Sequence, residues 1–136
     1  MQTYFADTWF WVALINKRDP YHAQAHRISD DIGDEPIFTS HMVFVEVMGH
    51  FTKGGEMLRR LAVQTFNGLR LKDTVTIVPQ TPEQFEAATR RYLQYKDKEW
   101  SLTDCASMII MEANNISIAI TDDHHFEQAK YQIRNT

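Results

Sequence analysis

Cysteine is nearly absent from this chain. Cys105 stands alone among 136 residues, so no internal disulfide forms and no cysteine-based zinc cage can be built. A solitary cysteine fits a reducing compartment, and the expected location is cytoplasmic. No apolar run approaches the roughly 18–20 residues that a membrane span needs, and no membrane association is expected. Met1 to Asp7 carries neither a basic stretch nor a small-residue cleavage site, so it does not read as a secretory signal. Glycine and proline are sparse, at 5 and 4 residues, and no repeat, low-complexity tract or linker interrupts the chain. Residues 1–136 are therefore expected to form one domain. A surplus of positive charge is missing too: 14 Lys and Arg against 18 Asp and Glu give a net charge of −4. This is the reverse of the basic footprint of a passive nucleic-acid binder. It leaves room for a nucleic-acid enzyme, because a cation-binding cluster of carboxylates is itself strongly negative.

What is present alternates between short apolar runs and longer helical patterns. Thr3 to Ala6 reads as an opening strand. Thr8 to Asn16 (TWFWVALIN) is apolar on nearly every face, which predicts a helix buried between layers. Arg18-Asp19-Pro20 breaks it, and Tyr21 to Ile32 follows as an amphipathic helix ended by Gly33. Pro36 to Thr39 is a second strand, with Ser40 capping a helix to about Phe51. Glu56 to Leu69 is another helix, and Val75 to Val78 a third strand stopped by Pro79. Thr81, with Pro82 at the first helical position, opens a helix to about Tyr95, and Ser101 opens one to about Asn114. Ile116 to Ile120 is a fourth strand, His124 to Ala129 a short helix, and Tyr131 to Ile133 a final edge strand. Strands alternating with helices predict an α/β fold, a three-layer α/β/α sandwich around a central parallel sheet.

In such a sheet, ligands bind beyond the carboxyl ends of the strands. Asp7 ends the first strand, and Asp122 and Asp123 end the fourth. Glu46 lies about two turns into the helix that leaves the second strand. Asp104 opens the helix that feeds strand four, which must run antiparallel to it, so that helix also starts at the same rim. Singly, three of these acids read equally well as helix caps: Asp7 before Thr8, Asp104 in a Ser101-x-x-Asp104 capping box, and Asp123 before the last helix. Glu46 interrupts the apolar run Met42 to Met48, so it takes either a wet face or a buried partner. Together they form a rim of four like charges that would repel one another. A hard divalent cation relieves that repulsion, and an all-carboxylate donor set suits Mg²⁺ or Mn²⁺ over zinc.

Asp7-Thr8, the block TSHMVFVEV with Glu46, WSLTDCAS around Asp104, and AITDDHHFEQAKY together resemble the PIN domain. Within that family they resemble the VapC-type toxins of prokaryotic toxin–antitoxin pairs, in order and spacing over nearly the whole chain. The resemblance implies an endoribonuclease dependent on Mg²⁺ or Mn²⁺, with an RNA substrate (tRNA or rRNA), a cognate antitoxin and a homodimeric state. It also implies products with 5′-phosphate and 3′-hydroxyl ends. The family's acidic quartet falls on Asp7, Glu46, Asp104 and Asp123. Thr8 stands beside the first acid, and Thr121 would orient the last carboxylate or a metal-bound water. Aligning the His-Phe pair selects Asp123 over Asp122, which is an extra ligand or points away.

Other residues receive secondary readings. Arg90, Arg91, Lys96 and Lys98 are the candidate phosphate contacts, against the plainer reading of a solvated helix face. His125 adjoins the acidic rim and is expected mainly to pack. His22 and His26, one turn apart, read as a surface or packing pair in preference to a zinc site. Trp9 and Trp11 read as core, and Cys105 as buried and inert. The apolar excess over Met42 to Met48 would suit a second copy of the chain or an antitoxin segment. A receiver domain is disfavoured, because the third strand ends Val78-Pro79-Gln80 without an acceptor Asp. The competing functions are a PIN-like nuclease outside a toxin–antitoxin system, a DNA-directed 5′ nuclease, and an inactive RNA- or protein-binding module.

Overall fold

The computed structural model describes all residues, Met1–Thr136. Its elements run β1 (Tyr4–Ala6), α1 (Thr8–Ile15), α2 (His22–Ile32), β2 (Ile37–Ser40), α3 (His41–His50), α4 (Glu56–Leu69) and β3 (Val75–Val78). They continue with α5 (Pro82–Gln94), α6 (Leu102–Ala113), β4 (Ile118–Ile120), α7 (His125–Gln128) and β5 (Gln132–Arg134). The five strands form one sheet in the order β3-β2-β1-β4-β5, and every pairing is parallel. Right-handed crossovers then place α1–α4 on one face and α5–α7 on the other. Accordingly α1 packs on α2, α3 and α4, while α6 packs on α5 and α7. This is the α/β/α sandwich expected from the sequence.

The strand order reverses between β1 and β4. That is the topological switch point, where two crossovers leave in opposite directions and open a crevice at the strands' carboxyl ends. The two strands are short and wholly apolar, as a sheet covered on both faces requires. Phe5, Ala119 and Ile120 are completely buried in a core that also takes in Phe10, Phe44, Ile28, Met108 and Phe126. The α1 helix is buried along Phe10–Ala13, as its all-round apolar sequence predicts. The Trp11 indole N–H of this helix donates to Thr39 Oγ1 at 3.1 Å, and Thr39 donates to the Ala6 carbonyl at 3.0 Å, whereas the buried Trp9 indole N–H has no hydrogen-bond partner.

The start of β4 differs from the sequence expectation by two residues. Asn115 takes a left-handed φ of 54°, and the Ile116 amide returns to the Met111 carbonyl at 2.9 Å. This closes α6 as a Schellman turn. Ile116 is buried as the apolar residue of that turn, and the strand begins after it.

Candidate active site

Four chain segments deliver carboxylates to the crevice. Asp7 follows β1 directly, and its backbone N–H donates to the Ile120 carbonyl at 3.1 Å, locking the ends of β1 and β4 together. It occupies the N-cap position of α1, yet its side chain makes no cap bond. Instead the Thr121 hydroxyl, 114 residues away, donates to Asp7 Oδ2 at 2.8 Å. Fully buried Thr121 also accepts from the Asp123 amide at 3.1 Å. Thr121 therefore orients the Asp7 carboxylate and the Asp123 backbone, where the expectation placed it on the Asp123 carboxylate or a metal-bound water. Glu46 presents from the wet face of α3, where its Oε1 accepts the Thr8 hydroxyl at 2.6 Å.

Asp104 is both cap and site residue. The Ser101 hydroxyl accepts from the Asp104 amide, and Asp104 Oδ2 accepts from the Ser101 amide, each at 3.0 Å. The same Oδ2 takes the His125 Nδ1–H at 3.0 Å, and that ring nitrogen lies 3.2 Å from Asp123 Oδ1. Asp123 Oδ1 further accepts the His125 amide at 2.9 Å, which starts α7. One ligand atom from each of Asp104, Asp123 and His125 fits within 4.8 Å of the others. His125 is thus part of the constellation, where sequence reasoning had it mainly packing. Its adjacency to Asp123 was the only available signal, since the contact to Asp104 spans 21 residues.

The electrostatics carry the strain expected of clustered acids. Burial pushes the Asp7 carboxyl up to about 7, and the charges of Asp104 and Glu46 add to the rise. The Thr8 amide and Thr121 hydroxyl oppose it. Burial also raises Asp104, helped by Asp123 and opposed by the Ser101 amide and His125. Asp122 is exposed and stands outside the Asp104–Asp123–His125 group. Its carboxyl is raised by partial burial and by the neighbouring charges of Asp123 and Asp19.

The donor set fits a hard divalent cation. In Glu46, Asp104 and Asp123, the protein's hydrogen bonds fall on one carboxylate oxygen and leave the other without a protein donor. Carboxylates fixed through one oxygen and free at the second are preorganised for oxygen coordination. A cation among them also removes the penalty that raises Asp7.

The candidate phosphate contacts divide. Arg91 is tied to Glu112 in an ion pair, whereas Arg90, Lys96 and Lys98 are exposed and make no ion pair. Cys105 is fully buried, with its thiol raised by burial. The His22 Nδ1 contacts the Ala13 carbonyl at 2.7 Å, so that ring fastens α2 to α1.

A PIN domain family model matches residues 4–131. The 23S rRNA-specific endonuclease VapC20 of Mycobacterium tuberculosis (strain CDC 1551 / Oshkosh) is 27% identical over 129 residues, covering 93% of this chain and 94% of that protein. Among solved structures, M. tuberculosis VapC20, described as a sarcin-ricin loop cleaving toxin, superposes with a TM-score of 0.80 at 26% identity. That match covers 94% of this chain and 95% of the other. VapBC2 from Rickettsia felis, bound to a DNA fragment from their promoter, shares the fold with a TM-score of 0.68 at 16% identity over 98% of both chains. The chain belongs to the PIN domain family, and the match runs from the first residue of β1 to the residue before β5.

Proposed function

We propose that this PIN domain is an endoribonuclease dependent on Mg²⁺ or Mn²⁺, and that it acts as the toxin of a VapBC-type pair. Residues 1–136 are taken as one nuclease domain acting in the cytoplasm as a homodimer, held in check by a cognate antitoxin. The observation that carries the reading is the acidic group at the β1/β4 switch point: Asp104 and Asp123 share His125, Asp7 feels the charges of Asp104 and Glu46, and Glu46, Asp104 and Asp123 each keep an oxygen free of protein donors. Similarity to VapC20 over 93% of the chain supports RNA as the substrate, with ribosomal RNA the first to try.

Asp7, Asp104 and Asp123 would hold the cation directly or through water, with Glu46 holding a bound water or a second ion. A divalent ion there supplies charge stabilisation at the scissile phosphate and acidifies a water for in-line attack. The chain's own contribution is orientation. Thr121 fixes one oxygen of Asp7 and the backbone of Asp123, Thr8 fixes Glu46, and His125 holds Asp104 and Asp123 side by side. Arg90, Lys96 and Lys98 would contact phosphates along the approach, while Arg91 holds Glu112.

The test compares wild type with Asp104→Asn on ribosomal and transfer RNA, in Mg²⁺, Mn²⁺ and EDTA. Cleavage should need the metal and fall at least about a hundredfold in the variant, the scale of losing a group that stabilises transition-state charge. Full activity in EDTA or in Asp104→Asn refutes the mechanism.

A further inference from the structure

The acidic rim leaves unexplained how a chain of net charge −4 holds RNA. The corner between α5 and α6 answers this. Trp100 directly precedes Ser101, the cap of the helix that carries Asp104. Its indole is buried and donates to Gln128 Oε1 of α7 at 3.1 Å, so the ring is fixed to both helices that build the acidic site. Tyr95 lies against it, with ring centroids 4.9 Å apart and planes at 38°. Tyr95 is itself 36% exposed, the outer member of a tilted pair of rings.

Two hollows flank this pair, and Lys98 and Trp100 line both. One, of about 460 Å³, lies between Tyr95 and Lys130. The other, of about 320 Å³, lies between Lys96 and Ser101, three residues from Asp104. Both volumes fall in the range of sites for small organic groups (about 300–1,000 Å³). Lys96, Lys98 and Lys130 are exposed and unpaired, whereas Arg91 and Arg134 are neutralised by Glu112 and Asp31. Aromatic faces interleaved with free cations are what a single-stranded nucleic acid needs: stacking for bases, ammonium groups for phosphates. Asp97 and Glu99 alternate with the lysines, so the Coulomb contribution is limited and stacking carries more of the affinity.

We propose that this corner is the docking groove for the RNA strand flanking the scissile phosphate, with a base stacked on Tyr95 and the adjoining phosphates on Lys98 and Lys130. The proposal rests on the nuclease reading and adds the place where the substrate is gripped. It keeps Lys98 from the loop after α5, leaves out Arg90 on α5 itself, and adds Lys130.

The experiment measures steady-state cleavage in Mg²⁺ of a hairpin RNA carrying the sarcin–ricin loop and of an unstructured oligoribonucleotide. Tyr95→Ala should raise KM about fivefold or more and leave kcat nearly unchanged. Tyr95→Phe, which keeps the ring, should restore KM. Lys98→Gln and Lys130→Gln should each reduce the log–log salt dependence of kcat/KM by about 0.7, one single-strand phosphate contact. Lys98 and Lys130 are exposed, so their variants should keep the wild-type thermal midpoint; Tyr95→Ala loses packing on Trp100, so its KM is compared at a temperature well below its own midpoint, which separates lost docking from lost folding. Wild-type KM and salt slope in all the variants would overturn the groove while leaving the nuclease intact. No cleavage of either RNA by wild-type protein would overturn the nuclease reading, and this inference with it.

Discussion

Replacing Asp7 with Asn should stabilise the metal-free protein, although it removes a residue assigned to the site. The Asp7 carboxyl rises from 3.8 to about 7 on folding, chiefly through burial. At about 1.4 kcal/mol per pH unit, that gap corresponds to roughly 4 kcal/mol. The folded state holds the proton more tightly than the unfolded chain. Its advantage is therefore complete below about pH 4, declines as pH rises, and is gone above about pH 7, where the buried charge must be carried. Relaxation and water around the ionised group lower the realised cost to about 2–4 kcal/mol. Asn is a neutral isostere that still accepts the Thr121 hydroxyl, so it avoids this cost at all pH values. In EDTA near pH 8, urea or thermal unfolding should show Asp7→Asn more stable by that amount, or roughly 5–15 °C in Tm. At about pH 5 the gain should shrink by more than half, because the wild-type carboxyl is then protonated in the fold. Added Mg²⁺ should raise the wild-type Tm by more than that of the variant, which keeps the other three acids but has lost one ligand, since an ion bound to the folded state shifts stability. A variant less stable than wild type at pH 8 in EDTA, or a gain independent of pH, refutes the argument.

Other substitutions separate the roles of neighbouring groups. His125→Ala should leave the fold intact, lower cleavage about 10–100-fold and raise the Mg²⁺ concentration for half-maximal activity, as losing an orienting partner of metal ligands does; an unchanged metal titration would show that the ring only packs. Thr39→Val leaves the Trp11 N–H buried without an acceptor and should cost about 1–3 kcal/mol in urea unfolding. A cost below about 0.5 kcal/mol would mean the indole finds another partner. Ser101→Ala should cost about 1 kcal/mol through the lost cap yet keep most of the activity, because the Asp104 carboxylate is held by the Ser101 backbone N–H, which Ala retains; a large loss of activity would mean that the hydroxyl itself positions the site.

The layers of the fold were legible because periodicity and punctuation agreed: an all-apolar α1, the Thr81–Pro82 start of α5, and short strands ended by Asp7 and Pro79. What sequence could not supply was which partner each polar group finds. Asp7 looks like a cap and sits at a cap position, but a threonine beside it only in space claims its oxygen. Asp104 looks like a cap and is one, with a second oxygen to spare. Arg91 looks like a free cation until α6 brings Glu112 against it. His125 has one partner close in sequence, Asp123, and a second, Asp104, only after folding. In each case the local signal was correct and incomplete, because a side chain's chemistry is settled by a contact tens of residues away.

The choice between Asp122 and Asp123 shows how backbone geometry converts into chemistry. The chain bends at Thr121 and Asp122 as it leaves β4. Ile120 and Thr121 are buried, Asp122 is exposed, and Asp123 turns back to half-burial beside Asp104 and His125. Thr121 holds that bend, because its hydroxyl is anchored on Asp7 while it accepts from the Asp123 amide. Sliding the strand by one residue would bring Asp122 to the rim, but it would break both hydrogen bonds and expose Ile120. The position of the fourth acid is therefore set by a buried hydroxyl and an apolar strand. A Thr121→Val substitution should disturb Asp7 and Asp123 together, lowering activity more than either hydrogen bond alone would suggest. Metal affinity measured in Thr121→Val, Asp123→Asn and the double variant gives the answer. Equal, additive losses would mean the two acids are positioned independently, and the coupling argued here would fail.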